Sequence, residues 1–303
     1  MKKIFRQITA YARTTPLPPF FASALLMSLT VFINYRIGLS ARIEQGSEAF
    51  EWCAWFGLFL LLYLFPYLLS AKARQLLVKD RLFLFLCLLG PALFAWKMSY
   101  TLQFPVSARP ELQPYWNRVL YWPFKLLVMG FLLWFVWKRT GPPESFYGLT
   151  VKGLDLRPYG LMLLFMVPLI AAAATQPDFL QTYPKSHLVN ELPQGERQPW
   201  RFLLYEAAYG SDFIGIELFF RGFLVLAFAR FVGPGAILPM AMFYCAIHFG
   251  KPLGECISSF FGGIFLGVVT YHSRSIIGGL AVHLGIAWLM ELGGTIGRYW
   301  AAG

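Results

Sequence analysis

The sequence has few charged residues for its length. Asp, Glu, Lys and Arg make up only 14% of its 303 residues, whereas 57% are hydrophobic and 18% are aromatic. A single soluble core cannot bury so large an apolar fraction, so the surplus is expected to face lipid. The composition therefore excludes an ordinary soluble protein and predicts an all-α, polytopic bundle of about eight to nine transmembrane helices.

Acidic residues are scarcer than basic ones, which leaves a formal net charge of +11. The basic residues fall in short clusters between apolar runs and form no basic stripe on one domain, so the charge does not indicate a nucleic-acid partner. The lipid bilayer is the expected partner. The four cysteines show no Cys-x-x-Cys spacing and are interpreted as isolated packing residues; they are Cys53, Cys87, Cys245 and Cys256.

Two common hydrolase signatures are absent. His-Glu-x-x-His does not occur, so a zincin-type metal site has no support from the sequence. No Gly-x-Ser-x-Gly supports a serine nucleophile. A divalent metal is possible, but the sequence requires no cofactor.

Nine apolar runs predict the membrane spans. Two of these runs are short for a full crossing, so eight spans are an alternative to nine. Lys125 is the exception among the otherwise apolar runs of the first 140 residues, and it is expected to snorkel from a helix end. The runs cover residues 18–35, 53–70, 82–97, 119–137, 159–174 (short), 212–231, 235–249 (short), 256–271 and 276–293.

The placement of Lys and Arg predicts the orientation of these spans. Cytoplasmic connections carry an excess of both residues. Alternate connections are basic, which places the N-terminus in the cytoplasm and the mixed-charge connection at 175–200 outside. The residues concerned are Lys2, Lys3, Arg6, Arg13, Lys72, Arg74, Lys79, Arg81, Lys138, Arg139, Lys152, Arg157, Arg230 and Arg274.

The two parts of the chain have different polarity at membrane depth. Residues 1–200 are expected to form scaffold helices, with a small cytoplasmic hairpin near 147–157. Residues 201–303 are expected to form a core that carries the polar site. Ionisable residues inside a membrane helix cost several kcal/mol unless they face the interior and find a partner. Four stand out in this core: Glu217, Arg221, His248 and His283.

Glu217 and Arg221 are four residues apart and share one face of a helix. They could form a structural ion pair that only orients this helix, or they could belong to a site. His248 is followed by Phe-Gly-Lys-Pro, which ends its helix near a boundary where water can arrive.

Glu255 begins the next apolar run, where a carboxylate favours a helix N-terminus or can pair with Lys251. His283 alone would be interpreted as a hydrogen-bonding residue between helices. Small residues in the preceding run, Gly262, Gly263 and Gly267, permit close helix approach and could bring His283 near the other polar groups.

These residues occur in an order that resembles the CAAX protease and bacteriocin-processing family of intramembrane peptidases, over about residues 205–295. The family's motifs are Glu-Glu-x-x-x-Arg, Phe-x-x-x-His and His-x-x-x-Asn or Asp. By position, Glu217 matches the second glutamate, Arg221 the arginine, and His248 and His283 the two histidines. Ile216 stands in place of the first glutamate, and Ala287 stands in place of the Asn or Asp.

The resemblance implies a bacterial inner-membrane protein that uses water to hydrolyse a peptide bond in a membrane-associated substrate, with a prenylated segment as one such substrate. In that case Glu217 or Glu255 would act as base with His248, while His283 and Arg221 would stabilise the oxyanion. Ile216 and Ala287 support an alternative, in which an inactive homologue binds such a segment or acts as a membrane scaffold.

Overall fold

The computed structural model describes residues 2–141 and 145–302, and within these ranges the chain is helical and has no strand. The predicted all-α class is confirmed. The α-helices are α1 Lys2–Thr14, α2 Leu17–Ile37, α3 Leu39–Glu44, α4 Glu48–Leu69, α5 Ala71–Lys79, α6 Arg81–Ser99, α7 Gln113–Thr140, α8 Arg157–Ala173, α9 Pro177–Thr182, α10 His187–Asn190, α11 Pro199–Glu217, α12 Ala229–Val232, α13 Ile237–Ala246, α14 Leu253–Ser273 and α15 Ile277–Ala302.

Shorter elements connect some of these helices. A π-helix, Leu218–Ala227, follows α11 directly. Single 3-10 turns occur at Pro110–Leu112, Phe146–Gly148, Gln194–Glu196 and Gly233–Ala236.

Seven helical stretches among the described residues are long and apolar enough to cross a membrane, and the protein is an integral membrane protein. One of them, Pro199–Ala246, is 48 residues long and covers the predicted run 212–231 and most of the run 235–249. The run predicted at 159–174 forms the shorter helix α8. The nine predicted runs therefore correspond to seven long stretches and one shorter helix.

The chain forms two compact units, each assembled from segments that are distant in sequence. The first unit contains Met1–Tyr100, Trp134–Gly153 and Leu218–Ile276. The second contains Thr101–Leu133, Leu154–Glu217 and Ile277–Gly303. The division predicted at residue 200 stays a prediction.

Aromatic rings form the core of the first unit. The Phe59 ring in α4 lies 4.6 Å from the Phe243 ring in α13. Phe94 of α6 lies 5.0 Å from Phe219 of the π-helix. Phe59, Phe219 and Phe243 have no exposed surface. Interlocked rings of this kind fix the positions of four helical elements relative to one another.

Two of the glycines of α14 permit the predicted close helix approach, and the helix that they meet is α13. A Cβ atom on Gly263 would lie 3.2 Å from Cα of Ala241, and one on Gly267 would lie 2.8 Å from the Met240 side chain. The same contact brings the Sγ atoms of Cys245 and Cys256 to 3.9 Å. Both cysteines are free and buried, so each acts as a packing residue, and the two contact each other.

The segment predicted as a small hairpin near 147–157 contains no strand. It begins with the 3-10 turn Phe146–Gly148, in which Tyr147 has a positive φ of 46°. Its Gly148 carbonyl accepts a hydrogen bond from the backbone of Ile276, so it pairs with a distant segment and not with a neighbouring strand. Tyr147 is buried, and a Cβ on Gly222 of the π-helix would lie 2.7 Å from it. Tyr147 and Gly148 are thus part of the first unit's core, whereas most of the residues that follow them are exposed.

Helices α8 and α15 pack together in the second unit. Glu291 of α15 binds the connection before α10: its carboxylate accepts hydrogen bonds from the backbone amides of Lys185 and Ser186, at 2.7 Å and 3.0 Å, and from the Ser186 hydroxyl.

Lys125 is buried within α7 and its ammonium group lies 4.0 Å from the centre of the Tyr121 ring. The expectation that Lys125 snorkels from a helix end is therefore wrong, because its ammonium group makes a cation–π contact with the Tyr121 ring one turn away in the same helix.

Candidate functional site

The predicted site residues are divided between the two compact units. In the second unit, Glu217 is the last residue of α11 and His283 lies in α15. The Nδ1 atom of His283 is 3.1 Å from Oε1 of Glu217. Glu217 has no exposed surface, and the side chain of His283 is 13% exposed. The structure thus places a carboxylate and an imidazole from distant helices in direct contact.

Phe213 fixes the orientation of this pair. It lies one turn before Glu217 on α11, and its ring centre is 4.6 Å from that of His283 in an edge-to-face arrangement. When Nδ1 carries the proton and donates it to the carboxylate, Nε2 is the acceptor nitrogen of the neutral ring. The pair can therefore exchange a proton with a third group, which is the chemistry expected of a general base and its partner.

The two positions that depart from the family motifs lie in one apolar cluster of the second unit. Ala287 is buried there with Tyr209 and Phe213, and Ile216 packs against them. Further members at the edge of this cluster are Trp122, Leu280 and Leu284. The two predicted departures therefore occur in the same cluster. Apolar side chains fill the space in which the family motif would put two polar ones.

In the first unit, Arg221 lies in the π-helix and has no exposed surface. Its guanidinium carbon is 4.1 Å from the centre of the Tyr244 ring. A desolvated guanidinium over a tyrosine face is a favourable cation–π geometry. A π-helix is rare and often marks a functional region of a helix.

His248 lies in the turn after α13, and it contacts the same tyrosine. Its Nδ1 atom is 2.8 Å from the Tyr244 carbonyl oxygen, and the two rings are 4.7 Å apart. The hydrogen bond sets the tautomer, because an Nδ1–H must donate to a carbonyl. Tyr244, the aromatic residue of the second motif, thus contacts both Arg221 and His248.

Glu255 pairs with Lys251, four residues earlier in the chain. Its carboxylate lies 3.6 Å from the Lys251 ammonium group, at a spacing of four residues, and it is in the first turn of α14. The Lys251 carbonyl also accepts a hydrogen bond from the Tyr35 hydroxyl at 2.5 Å. These contacts match the structural interpretation of Glu255, a helix-start carboxylate paired with Lys251.

The described residues provide no set of metal ligands. Across 2–141 and 145–302, no three or more His, Cys, Asp or Glu side chains are grouped closely enough to hold a metal ion. The two-residue donor set of Glu217 and His283 is smaller than the three protein ligands typical of a catalytic zinc site.

Comparison with known families supplies the decisive observation. Residues 199–289 match the family model described as type II CAAX prenyl endopeptidase Rce1-like. This segment is similar to that family. The Rce1-like segment begins with α11 and includes all five predicted site residues and both departures from the motifs. No curated protein matches the chain, and no solved structure does.

Sequence reasoning missed two features of the Rce1-like segment. It did not identify the Glu217–His283 contact, since 66 residues separate the two in the chain and no local pattern reports such a pairing. It also did not identify Phe213 and Tyr209 as support for the site. A signal was present, because Tyr209, Phe213 and Ile216 follow a spacing of four and three residues along one helical face.

Proposed function

We propose that this intramembrane peptidase-like protein hydrolyses a peptide bond in a membrane-associated substrate, with Glu217 as the general base. The observation that carries the proposal is the buried contact of 3.1 Å between Glu217 and His283. Buried ionisable groups are costly in a membrane protein and commonly mark function. The Rce1-like match supports peptide hydrolysis as the reaction class.

In the proposed reaction, the Glu217 carboxylate removes a proton from a water molecule as the water oxygen adds to the substrate carbonyl carbon. The resulting tetrahedral oxyanion collapses and the carbon–nitrogen bond breaks. The proton held at Glu217 then passes to the leaving amine. His283 donates from Nδ1 to the carboxylate, which keeps Oε2 directed toward the reacting water.

The roles predicted for Arg221, His248 and Glu255 remain predictions. Arg221 and His248 both contact Tyr244, which would hold them in fixed positions for binding an anionic group. Glu255 is already paired with Lys251, which supports a structural role for it.

The test is cleavage of a prenylated, CaaX-type peptide by the full chain reconstituted in lipid vesicles. Replacing Glu217 with Gln keeps the size of the side chain and removes the base, so kcat should fall by about 100 to 10,000-fold. The control is Glu48→Gln, because Glu48 is an exposed carboxylate in the first turn of α4. Cleavage by Glu217→Gln at the parent rate would rule out Glu217 as the base.

The apolar cluster around Ile216 and Ala287 favours a second candidate function. With two polar motif positions replaced, the protein would bind a hydrophobic or prenylated segment without cutting it. In that case the parent binds the peptide but releases no product, and the double variant Ile216→Glu/Ala287→Asn gains cleavage. Efficient cleavage by the parent would reject this candidate.

We also propose that the protein lies in a bacterial cytoplasmic membrane with its N-terminus inside the cell. The bias of Lys and Arg between alternate connections supports this orientation. An epitope inserted after Gly195, where the structure leaves open space, should be accessible to antibody outside intact cells. An epitope that is reached only after permeabilisation would reverse the orientation.

A further inference from the structure

Helix α1, Lys2–Thr14, has two chemically distinct faces. Ile4 and Tyr11 are buried on one of them. Lys2, Arg6 and Arg13 are all exposed, and at about 100° per residue they fall within roughly 40° of one another and about 160° from the buried face. We call these three residues the basic stripe. The helix contains no acidic residue.

An apolar groove lies beside α1, with a cavity volume of about 290 Å³. Its walls come from the apolar face of α1, the first turn of α2 and the part of α14 from Phe261 to Val268. Residues that line it include Ile8, Tyr11, Thr15, Phe20, Phe261 and Phe265. Phe261 is 61% exposed, so the groove opens onto the surface of the protein.

The position of the groove indicates that it faces the lipid bilayer. The first turn of α2 lies at the start of the candidate span Leu17–Ile37, and the α14 wall of the groove begins near the middle of the candidate span Leu253–Ser273. An amphipathic helix with a basic polar face at such a position is typical of helices that lie in the interface between lipid headgroups and acyl chains.

The groove lining suits an acyl chain and does not suit a peptide. The Thr15 hydroxyl already donates to the Tyr11 carbonyl at 2.8 Å. Burial raises the pKa of the Tyr11 phenol to about 12, so this group stays neutral and does not repel an anion. A peptide backbone in the groove would leave most of its amide and carbonyl groups without partners, whereas an acyl chain has none to satisfy.

We propose that α1 and this groove form a binding site for anionic phospholipid. The basic stripe lies at the level of the headgroups and attracts their negative charge, and an acyl chain of the same leaflet occupies the groove. The site is separate from the proposed peptidase chemistry, since it uses neither Glu217 nor His283. It would make the protein prefer membranes rich in anionic lipid.

The test compares spin-labelled phosphatidylglycerol with spin-labelled phosphatidylcholine bound to the full chain in phosphatidylcholine vesicles. The parent should prefer phosphatidylglycerol, and the preference should fall as salt is raised from about 0.1 M to 1 M, because the Debye length shortens from about 10 Å to 3 Å. The variant Lys2→Gln/Arg6→Gln/Arg13→Gln should lose up to about fivefold in preference for each charge removed.

A matched variant controls for net charge. Lys72→Gln/Arg74→Gln/Lys79→Gln removes three exposed charges from α5, outside the proposed site. It should keep the parent preference. An equal loss in both variants, or no loss in the α1 variant, would overturn the proposal. Because every substituted residue is exposed, all three proteins should melt at the same temperature, which separates lipid binding from folding.

The groove is tested by filling it. Ala12 lines the groove, and Ala12→Trp would occupy much of the space. This variant should bind less of both labelled lipids while it keeps the preference for the anionic one. Unchanged binding of both lipids would show that no acyl chain occupies the groove.

Discussion

Ile216 of α11 and Ala287 of α15 pack into the same apolar cluster, which also contains Tyr209 and Phe213. The resemblance predicts that each of the two stands where the family motif has a polar residue. Since both changes occur in one cluster, a polar residue restored at only one of the positions would have mostly apolar neighbours. The two departures are therefore coupled through packing.

The single variant Ile216→Glu should destabilise the protein. A carboxylate in this cluster lacks a matched partner, and the expected cost is about 2 to 4 kcal/mol. Thermal melting in detergent measures the effect. The apolar control Ile216→Leu should melt within a few degrees of the parent, since volume-conserving changes cost less than about 1.5 kcal/mol. Equal melting temperatures for Ile216→Glu and the parent would contradict the assignment of Ile216 to the cluster.

Gly222 is required by the close approach of Tyr147. A methyl group at this position would lie 2.7 Å from both the Cβ and the carbonyl oxygen of Tyr147. Gly222→Ala should therefore destabilise the first unit by about 1 to 3 kcal/mol. Gly262→Ala is the matched control, because nothing lies within 4 Å of a Cβ there. If both variants lowered the melting temperature equally, the packing of Tyr147 on the π-helix would be wrong.

Glu291 should control the mobility of the segment around Ser186. Glu291→Ala removes the acceptor of two backbone amides and one hydroxyl, which costs about 1 to 3 kcal/mol when such groups are buried. Hydrogen exchange at Lys185 and Ser186 should accelerate. Glu191→Ala, which removes only an exposed carboxylate 3.6 Å from His187, should leave that exchange unchanged. Slow exchange in both variants would count against the Glu291 contacts.

Arg221 should not tolerate lysine. The planar guanidinium stacks on the Tyr244 ring, whereas an ammonium group is a compact and strongly hydrated charge. Arg221→Lys should lower stability by about 1 to 2 kcal/mol. Arg42→Lys, at an exposed position, serves as the control and should melt like the parent. A full rescue of stability by lysine at 221 would mean that only the charge matters.

Much of the fold could be predicted from the sequence because lipid demands long apolar runs. Each predicted run lies in or overlaps a helix, and the glycines of α14 correctly indicated a close helix contact. The amphipathic helix α1 was missed, since its mean hydropathy is low and its signal is periodicity. The π-helix was missed because no simple residue pattern distinguishes its hydrogen bonding from that of an α-helix.

The candidate site was only partly predictable, for a different physical reason. The cost of burying Glu217, Arg221 and His283 makes each residue conspicuous in an apolar sequence. Which partner each residue selects depends on tertiary packing. Glu217 contacts His283, and Arg221 lies over Tyr244, whereas spacing alone offered a pair between Glu217 and Arg221 as one alternative. The interpretation of Glu255 as a partner of Lys251 needed only local spacing, and the structure shows that contact.

The glycine-mediated contact of α13 and α14 has a consequence for His248. The imidazole sits in the short turn between two helices whose backbones are in close contact, and its Nδ1 is bonded to the backbone. Rotating it away would break the hydrogen bond to the Tyr244 carbonyl and the contact with the Tyr244 ring. The ring is therefore preorganised, and a molecule that binds to it loses little affinity to the entropy of ordering a side chain.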